Sequence, residues 1–215
     1  MLVTMWSMGG IGEEPTDAER ERMEQLLRRR TRPDNEMPVT VALDLTLARN
    51  DDVALGIGAA MVYRNGVAFQ LLAVSRTSTY LDFFGHHPRR RDGSHGLLLG
   101  VEYSDGRRAT TAGRTWLDAV DRDDDDGPAL TMGGGGSSDR RAEAEFFLSP
   151  VPPPGPLTFV VLWPAAGLPE TTVATTADPL AAAVAGVVEL WPWQPVDRSC
   201  PPPPDLPASG WFAGP

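Results

Sequence analysis

Between residues 39 and 47 apolar and polar side chains alternate one by one. Val39, Val41, Leu43, Leu45 and Leu47 fall on one side, and Thr40, Ala42, Asp44 and Thr46 on the other. A period of two is that of a strand with one buried face, so this stretch predicts a half-buried β-strand. Asn50, Asp51 and Asp52 then turn the chain, and Val53, Leu55, Ile57, Ala59, Met61 and Tyr63 continue the same phase in a second strand over residues 53–63. Gly56 and Gly58 interrupt it, which points to a bulge or to a close backbone approach. Asn65-Gly66 supplies a two-residue hairpin turn into a third strand over 67–75, because both centres of a type I′ turn need positive φ.

Further along, residues 97–103 form an apolar strand, and Asp105-Gly106 returns the chain through 107–111. Residues 129–132 make a short strand before Gly133–Gly136, a flexible strand-to-strand connection. Ala142, Ala144, Phe146 and Leu148 alternate against Arg141, Glu143 and Glu145 in an amphipathic strand over 141–148. A Pro-rich turn over 149–156 leads into residues 157–163, apolar on both faces and therefore expected as a central strand covered from both sides. The β-branched run 170–176 has one more strand's worth of residues.

Two segments carry the helical period instead. Residues 16–32 open with Thr16 and Glu19 spaced as a capping box, and Arg28, Arg29 and Arg30 crowd the last turn before Pro33. The apolar stripe there is only Met23, Leu26 and Leu27, so this helix is expected on the surface or docked on a partner. Asp178 as N-cap and Pro179 behind it start a second helix running to about Trp191, with Leu180, Val184, Val187, Val188 and Trp191 on its packed face.

Period-two strands, short hairpins and regular turn signals predict a mainly β fold. The expected architecture is an antiparallel, immunoglobulin-like β-sandwich with an N-terminal helix and a packed C-terminal helix. The division follows as an N-terminal extension over 1–37, a sandwich domain over 38–193 and a Pro-rich, poorly ordered tail over 194–215.

Composition narrows the function classes. The formal charge of −10 argues against a nucleic-acid binder, whose affinity rests on a cationic surface. All 19 basic residues are arginine, which excludes a Schiff-base lysine and a phosphate-loop lysine together. A single cysteine, Cys200, permits neither an intrachain disulfide nor a cysteine zinc site. Residues 1–12 lack the charged and apolar regions of a signal peptide, and no run approaches a membrane span, so a cytoplasmic setting without membrane contact is expected. Met1, Met5 and Met8 are alternative starts.

Candidate chemistry concentrates in one long connection. His86, His87 and His95 lie within ten residues, beside Asp82 and Asp92, and neutral imidazole with carboxylate is a ligand set for zinc. Arg89, Arg90 and Arg91 in the same loop would repel a cation, and a solvated loop is the preferred reading. The acidic run 121–126 fails as a calcium loop: with Asp121 first, the glycine position holds Asp126 and the glutamate position holds Met132. The glycine run is followed by a strand rather than a helix, so it is no phosphate cradle. Arginine clusters at 28–30, 89–91, 107–108 and 140–141 carry the guanidinium chemistry to recognise an acidic partner; each is flanked by acidic residues or sits at a turn, so a solvated face is the preferred reading, and convergence in space would strengthen the other.

The segments PVTVALDLTLAR, VEYSDGRRAT, GGGGSSDRRAEAEFF, PPPGPLTFVVLWPAAGLPET and the closing helix through ELWP resemble an uncharacterised group of hypothetical proteins from actinobacteria, across residues 38–193. That resemblance implies a β-sandwich in a bacterial cytosol, and no activity, cofactor or catalytic residue comes with it. Two functions are therefore expected from the sequence. The first is a non-catalytic interaction module for a protein partner, touching it through Arg89–Arg91 or through Trp211 and Phe212 in the tail. The second is a metal-dependent enzyme built on His86, His87 and His95. No cofactor and no particular oligomeric state is indicated.

Overall fold

A computed structural model describes residues 16–77, 83, 96–112 and 127–194. The chain is mainly β, and among the described residues every strand pair is antiparallel. In chain order the elements are α1 (Asp17–Arg30), β1 (Glu36–Met37), β2 (Val39–Arg49), β3 (Val53–Tyr63), β4 (Gly66–Ser75), β5 (Leu98–Glu102), β6 (Arg108–Thr110), β7 (Ala129–Ser137), β8 (Arg141–Ser149), β9 (Pro156–Trp163), β10 (Leu168–Thr176), α2 (Asp178–Ala183) and β11 (Val188–Glu189). They make a five-stranded sheet ordered β2-β3-β4-β8-β7, a four-stranded sheet ordered β10-β9-β5-β6, and a two-stranded ribbon of β1 and β11.

The two larger sheets share one core. From the first come Leu47, Leu55, Ile57, Phe69, Leu71, Phe146 and Leu148, and from the second Leu99, Val101, Leu157, Phe159, Val161 and Trp163. Phe69 joins them: it stacks on Phe146 at 5.8 Å within its own sheet and meets Phe159 of the other sheet edge-on at 5.8 Å. Such aromatic pairs add to the free energy of simple apolar burial. On the opposite face of the five-stranded sheet, Tyr63, Ala68 and Phe147 form a smaller buried cluster. Helix α1 contacts β8 and buries Leu26 within the chain, while Leu27 is left 41% exposed.

Several local expectations need correction. In β3 the inward phase of Val53, Leu55 and Ile57 does not persist: Ala60 and Val62 are buried while Ala59 and Met61 are exposed. The register against β4 shifts between Ile57 and Ala60, and one extra residue exchanges the two faces of a strand. The turn after β3 is formed by Arg64 and Asn65, since Tyr63 pairs directly with Gly66. Gly66 is required by crowding rather than by φ, because a Cβ there would lie 2.5 Å from the Phe147 ring and 2.6 Å from the Leu148 carbonyl oxygen.

Gly133–Gly136 is not a loop but half of β7, with Gly135 and Gly136 in register with Ala144 and Glu143. The exposed edge of β8 supplies pairing partners to a backbone that has no propensity of its own. β9 is central in its sheet, yet only Leu157, Phe159, Val161 and Trp163 are buried, and Thr158, Val160 and Leu162 are half-buried. The second helix stops early. α2 ends at Ala183, a 3-10 turn over Val184–Gly186 follows, and Val188 returns to extended structure. Asp178 is its first helical residue and not its cap: Oδ1 instead accepts from the Gly155 N–H at 2.7 Å.

The Asp105-Gly106 hairpin follows expectation. Gly106 takes φ +83°, and the Arg107 N–H donates to the Asp105 Oδ1 at 3.0 Å. No helix among the described residues is long and apolar enough to cross a membrane.

Candidate functional site

The turn Arg64–Asn65 is where both ends of the described chain are fastened. Asn65 lies beneath the last turn of α1, and its Nδ2 donates to the carbonyl oxygens of Arg28 and Thr31, each at 2.9 Å. Those carbonyls lack intrahelical partners, so a side-chain amide from another element completes the helix end. Arg64 works on the other segment. Its backbone N–H donates to Glu36 Oε2 at 3.0 Å and its guanidinium to Glu189 Oε2 at 2.6 Å. Asn35 closes the same junction: its carbonyl oxygen accepts from the Leu190 N–H at 2.8 Å and its Nδ2 donates to the Trp191 carbonyl at 3.0 Å. The Arg28 guanidinium sits 4.5 Å above the Trp193 ring.

These contacts orient the β1–β11 ribbon unusually. Glu36 pairs with Glu189 and Met37 with Val188, so the two glutamates share one face and the two apolar residues the other. The charged face meets Arg64, where the Glu36 side chain is only 9% exposed and that of Glu189 remains 42% exposed. The apolar face is left to solvent: Met37 and Val188 are each 55% exposed, Leu190 43% and Trp191 56%. A short ribbon with one carboxylate tucked in beside Arg64 and its large apolar groups left outward departs from the ordinary arrangement.

The other polar features have local explanations. Burial raises the Tyr63 and Tyr103 hydroxyls above their ordinary value. The Asp105 carboxyl is lowered, chiefly by the N–H of Arg107 within the turn. Arg32 pairs with Glu145, Arg107 with Asp105, Arg108 with Glu102 and Arg141 with Glu143, so these arginines do not converge on a common centre. A shallow groove of about 260 Å³ crosses the face of the five-stranded sheet turned away from the core, between Thr46, Ala54, Gly56, Gly58, Leu72 and Val74.

The residues singled out in the sequence fall elsewhere. His86, His87, His95, Arg89, Arg90, Arg91, Trp211 and Phe212 lie outside the described residues, as do Asp82, Asp92, the acidic run 121–126 and Cys200. Among the described residues no group of three or more His, Cys, Asp or Glu side chains is placed to hold a metal ion. Sequence reading missed Arg64, Glu36 and Glu189 because strands of two residues leave no periodicity. The available signal was Met37, Val188, Leu190 and Trp191 beside prolines and charges, apolar groups in segments otherwise typical of turns.

No family model, curated protein or solved structure matches the chain.

Proposed function

We propose that this protein is a non-catalytic interaction module that holds a protein partner through the apolar face of the β1–β11 ribbon. The carrying observation is the exposed apolar side of that ribbon: Glu36 and Glu189 bond to Arg64, while Met37, Val188 and Leu190 are left to solvent. Contiguous exposed apolar surface on an otherwise acidic chain is the usual mark of a contact site. The scaffold behind it is read as a β-sandwich of the broad immunoglobulin-like kind, supported by two antiparallel sheets on one core. Its strand order is its own: β2, β3 and β4 are neighbours in one sheet, where an immunoglobulin domain sends its second and third strands to opposite sheets. A cytoplasmic, bacterial setting is part of the proposal, supported by the lone cysteine and by the resemblance to actinobacterial sequences.

The test is a photo-reactive amino acid placed at Val188 in cells, with the same group at Thr172 on β10 as comparison. A discrete adduct is expected from position 188 alone, and it should vanish when Met37→Ser and Leu190→Ser are added. The same adducts from both positions would overturn the reading.

A further inference from the structure

Helix α1 has little of its own to hold it in place. A helix of 14 residues is marginal in isolation, and among its described side chains only Leu26 is buried. What seats it is a set of contacts from its C-terminal end to three other parts of the chain. Asn65 Nδ2 reaches the carbonyls of Arg28 and Thr31, Arg32 just beyond the helix pairs with Glu145 on β8, and the Arg28 guanidinium lies over the Trp193 ring.

The β1–β11 ribbon is equally dependent on its surroundings. It has two residue pairs, too few to persist alone. Its supports are Asn35, which accepts from the Leu190 N–H and donates to the Trp191 carbonyl, and Arg64, which bonds to Glu36 and Glu189. Each support leads back to the end of α1. Asn35 is four residues beyond Thr31, Arg64 adjoins Asn65 in the turn between β3 and β4, and Trp193 under Arg28 is two residues beyond Trp191 of the apolar face. Helix and ribbon thus share their contacts, and each supplies part of the other's order.

We propose that seating of α1 and closure of the β1–β11 ribbon are one coupled switch with the Arg64–Asn65 turn as its fulcrum, so that α1 controls whether the apolar face of Met37, Val188 and Leu190 is assembled. With α1 seated, Trp193 is covered, the turn is held from both sides and Val188 pairs with Met37. With α1 released, the Arg28 stack and the Asn65 bonds go together, Arg64 loses the neighbour that fixes its turn, and the ribbon opens. Linkage makes the effect reciprocal: whatever binds the closed ribbon also tightens α1. The regulatory role rests on the ribbon being the contact face, while the coupling is a property of the free chain.

Amide hydrogen exchange of the full chain tests it at two positions. The Leu190 N–H, bonded to the Asn35 carbonyl, reports the ribbon, and the Thr31 N–H, bonded to the Leu27 carbonyl, reports the helix end. Arg28→Ala acts on α1 and should speed exchange at Leu190 by roughly fivefold, the equivalent of one net hydrogen bond. Glu189→Gln acts on the ribbon, where its carboxylate meets Arg64, and should speed exchange at Thr31 by a similar factor. Amides of β9 should keep their rates in both variants, and Glu102→Gln, which breaks the pair with Arg108 on the other sheet, should move neither reporter. An unchanged rate at Leu190 in Arg28→Ala, an unchanged rate at Thr31 in Glu189→Gln, or equal acceleration throughout β9 would each overturn the switch. These rates are read without a partner, so they stand apart from the adduct at Val188: loss of the adduct overturns the contact reading, and loss of the coupled rates overturns the switch.

Discussion

The Tyr103 hydroxyl donates to the carbonyl oxygen of Pro150 at 2.6 Å, tying the β5–β6 turn to the Pro-rich entry of β9. Beside it Ser104 Oγ donates to the Pro154 carbonyl at 2.9 Å. Gly155, at φ +110°, is held by Asp178. A segment with few N–H groups of its own is thus fastened through its carbonyls. Tyr103→Phe should cost about 1–3 kcal/mol in chemical denaturation, since it leaves a carbonyl without its partner.

The same hydroxyl predicts an alkaline dependence. Burial raises the folded-state value of Tyr103 above the ordinary 10.0, with Arg107 opposing and Asp105 adding. A raised value means that the folded state favours the protonated form. The stabilisation is therefore complete below the unfolded value near pH 10 and is lost as pH rises toward the folded one. Stability measured between pH 9 and 11, on either side of that value, should fall less steeply in Tyr103→Phe than in the wild type. Part of the slope should remain, because Tyr63 is shifted in the same direction by burial. Identical slopes for the two proteins would show that Tyr103 is not the group lost.

Asn65 separates donor chemistry from shape. Its Nδ2 serves the carbonyls of Arg28 and Thr31, so Asn65→Ala should loosen the end of α1 at a cost of about 1–2 kcal/mol. Asn65→Asp keeps the shape but replaces the donor with a carboxylate facing those carbonyls, and should cost more than alanine. Amide hydrogen exchange reads this directly: protection over the last turn of α1 should drop in both variants while that of β9 holds. Equal protection in wild type and Asn65→Asp would contradict the assignment.

Gly66 and Gly58 carry opposite predictions from the same residue type. A Cβ at Gly66 would meet the Leu148 carbonyl oxygen at 2.6 Å, backbone that cannot step aside, whereas at Gly58 nothing lies within 4 Å. Gly66→Ala should destabilise by about 1–3 kcal/mol, as overpacking does. Gly58→Ala should be neutral or stabilise by up to ~1 kcal/mol through the entropy of the unfolded chain. Thermal melts of the pair decide it, and a reversed order would contradict the crowding at Gly66.

How far the sequence could be read follows from how local each cause is. The alternation in β2 and β8 is set by neighbours two residues apart, and both strands lie where periodicity puts them. The change of face in β3 at Gly58–Ala59 comes from registration against β4, and no window along the chain contains it. β7 forms because β8 offers an edge to its glycines, a cause outside its own residues. The helix expected through Trp191 follows an apolar spacing that continues past Gly186. The chain instead leaves the helix to pair Val188 with Met37, a partner about 150 residues away. The ribbon face was illegible for the same reason, since its meaning depends on Arg64 bonding to Glu36 and Glu189, residues far from it in the chain.

Trp163 poses the last question about this core. Its side chain is 1% exposed, its indole Nε1 has no hydrogen-bond partner among the described residues, and the Phe83 ring lies stacked on it at 4.8 Å. A buried donor without a partner costs about 1–3 kcal/mol. Trp163→Phe removes that penalty but leaves a void, whose cost at ~24 cal/mol per Å³ is of the same order for the few atoms lost. The two effects should nearly cancel, leaving the variant within about 1 kcal/mol of the wild type. Phe83→Ala has no such compensation: it strips a ring that is 5% exposed and uncovers the indole, so a loss of about 3–5 kcal/mol is expected. Denaturant titration of both variants measures the contrast. A loss above about 3 kcal/mol for Trp163→Phe would mean that the indole N–H makes a bond worth keeping.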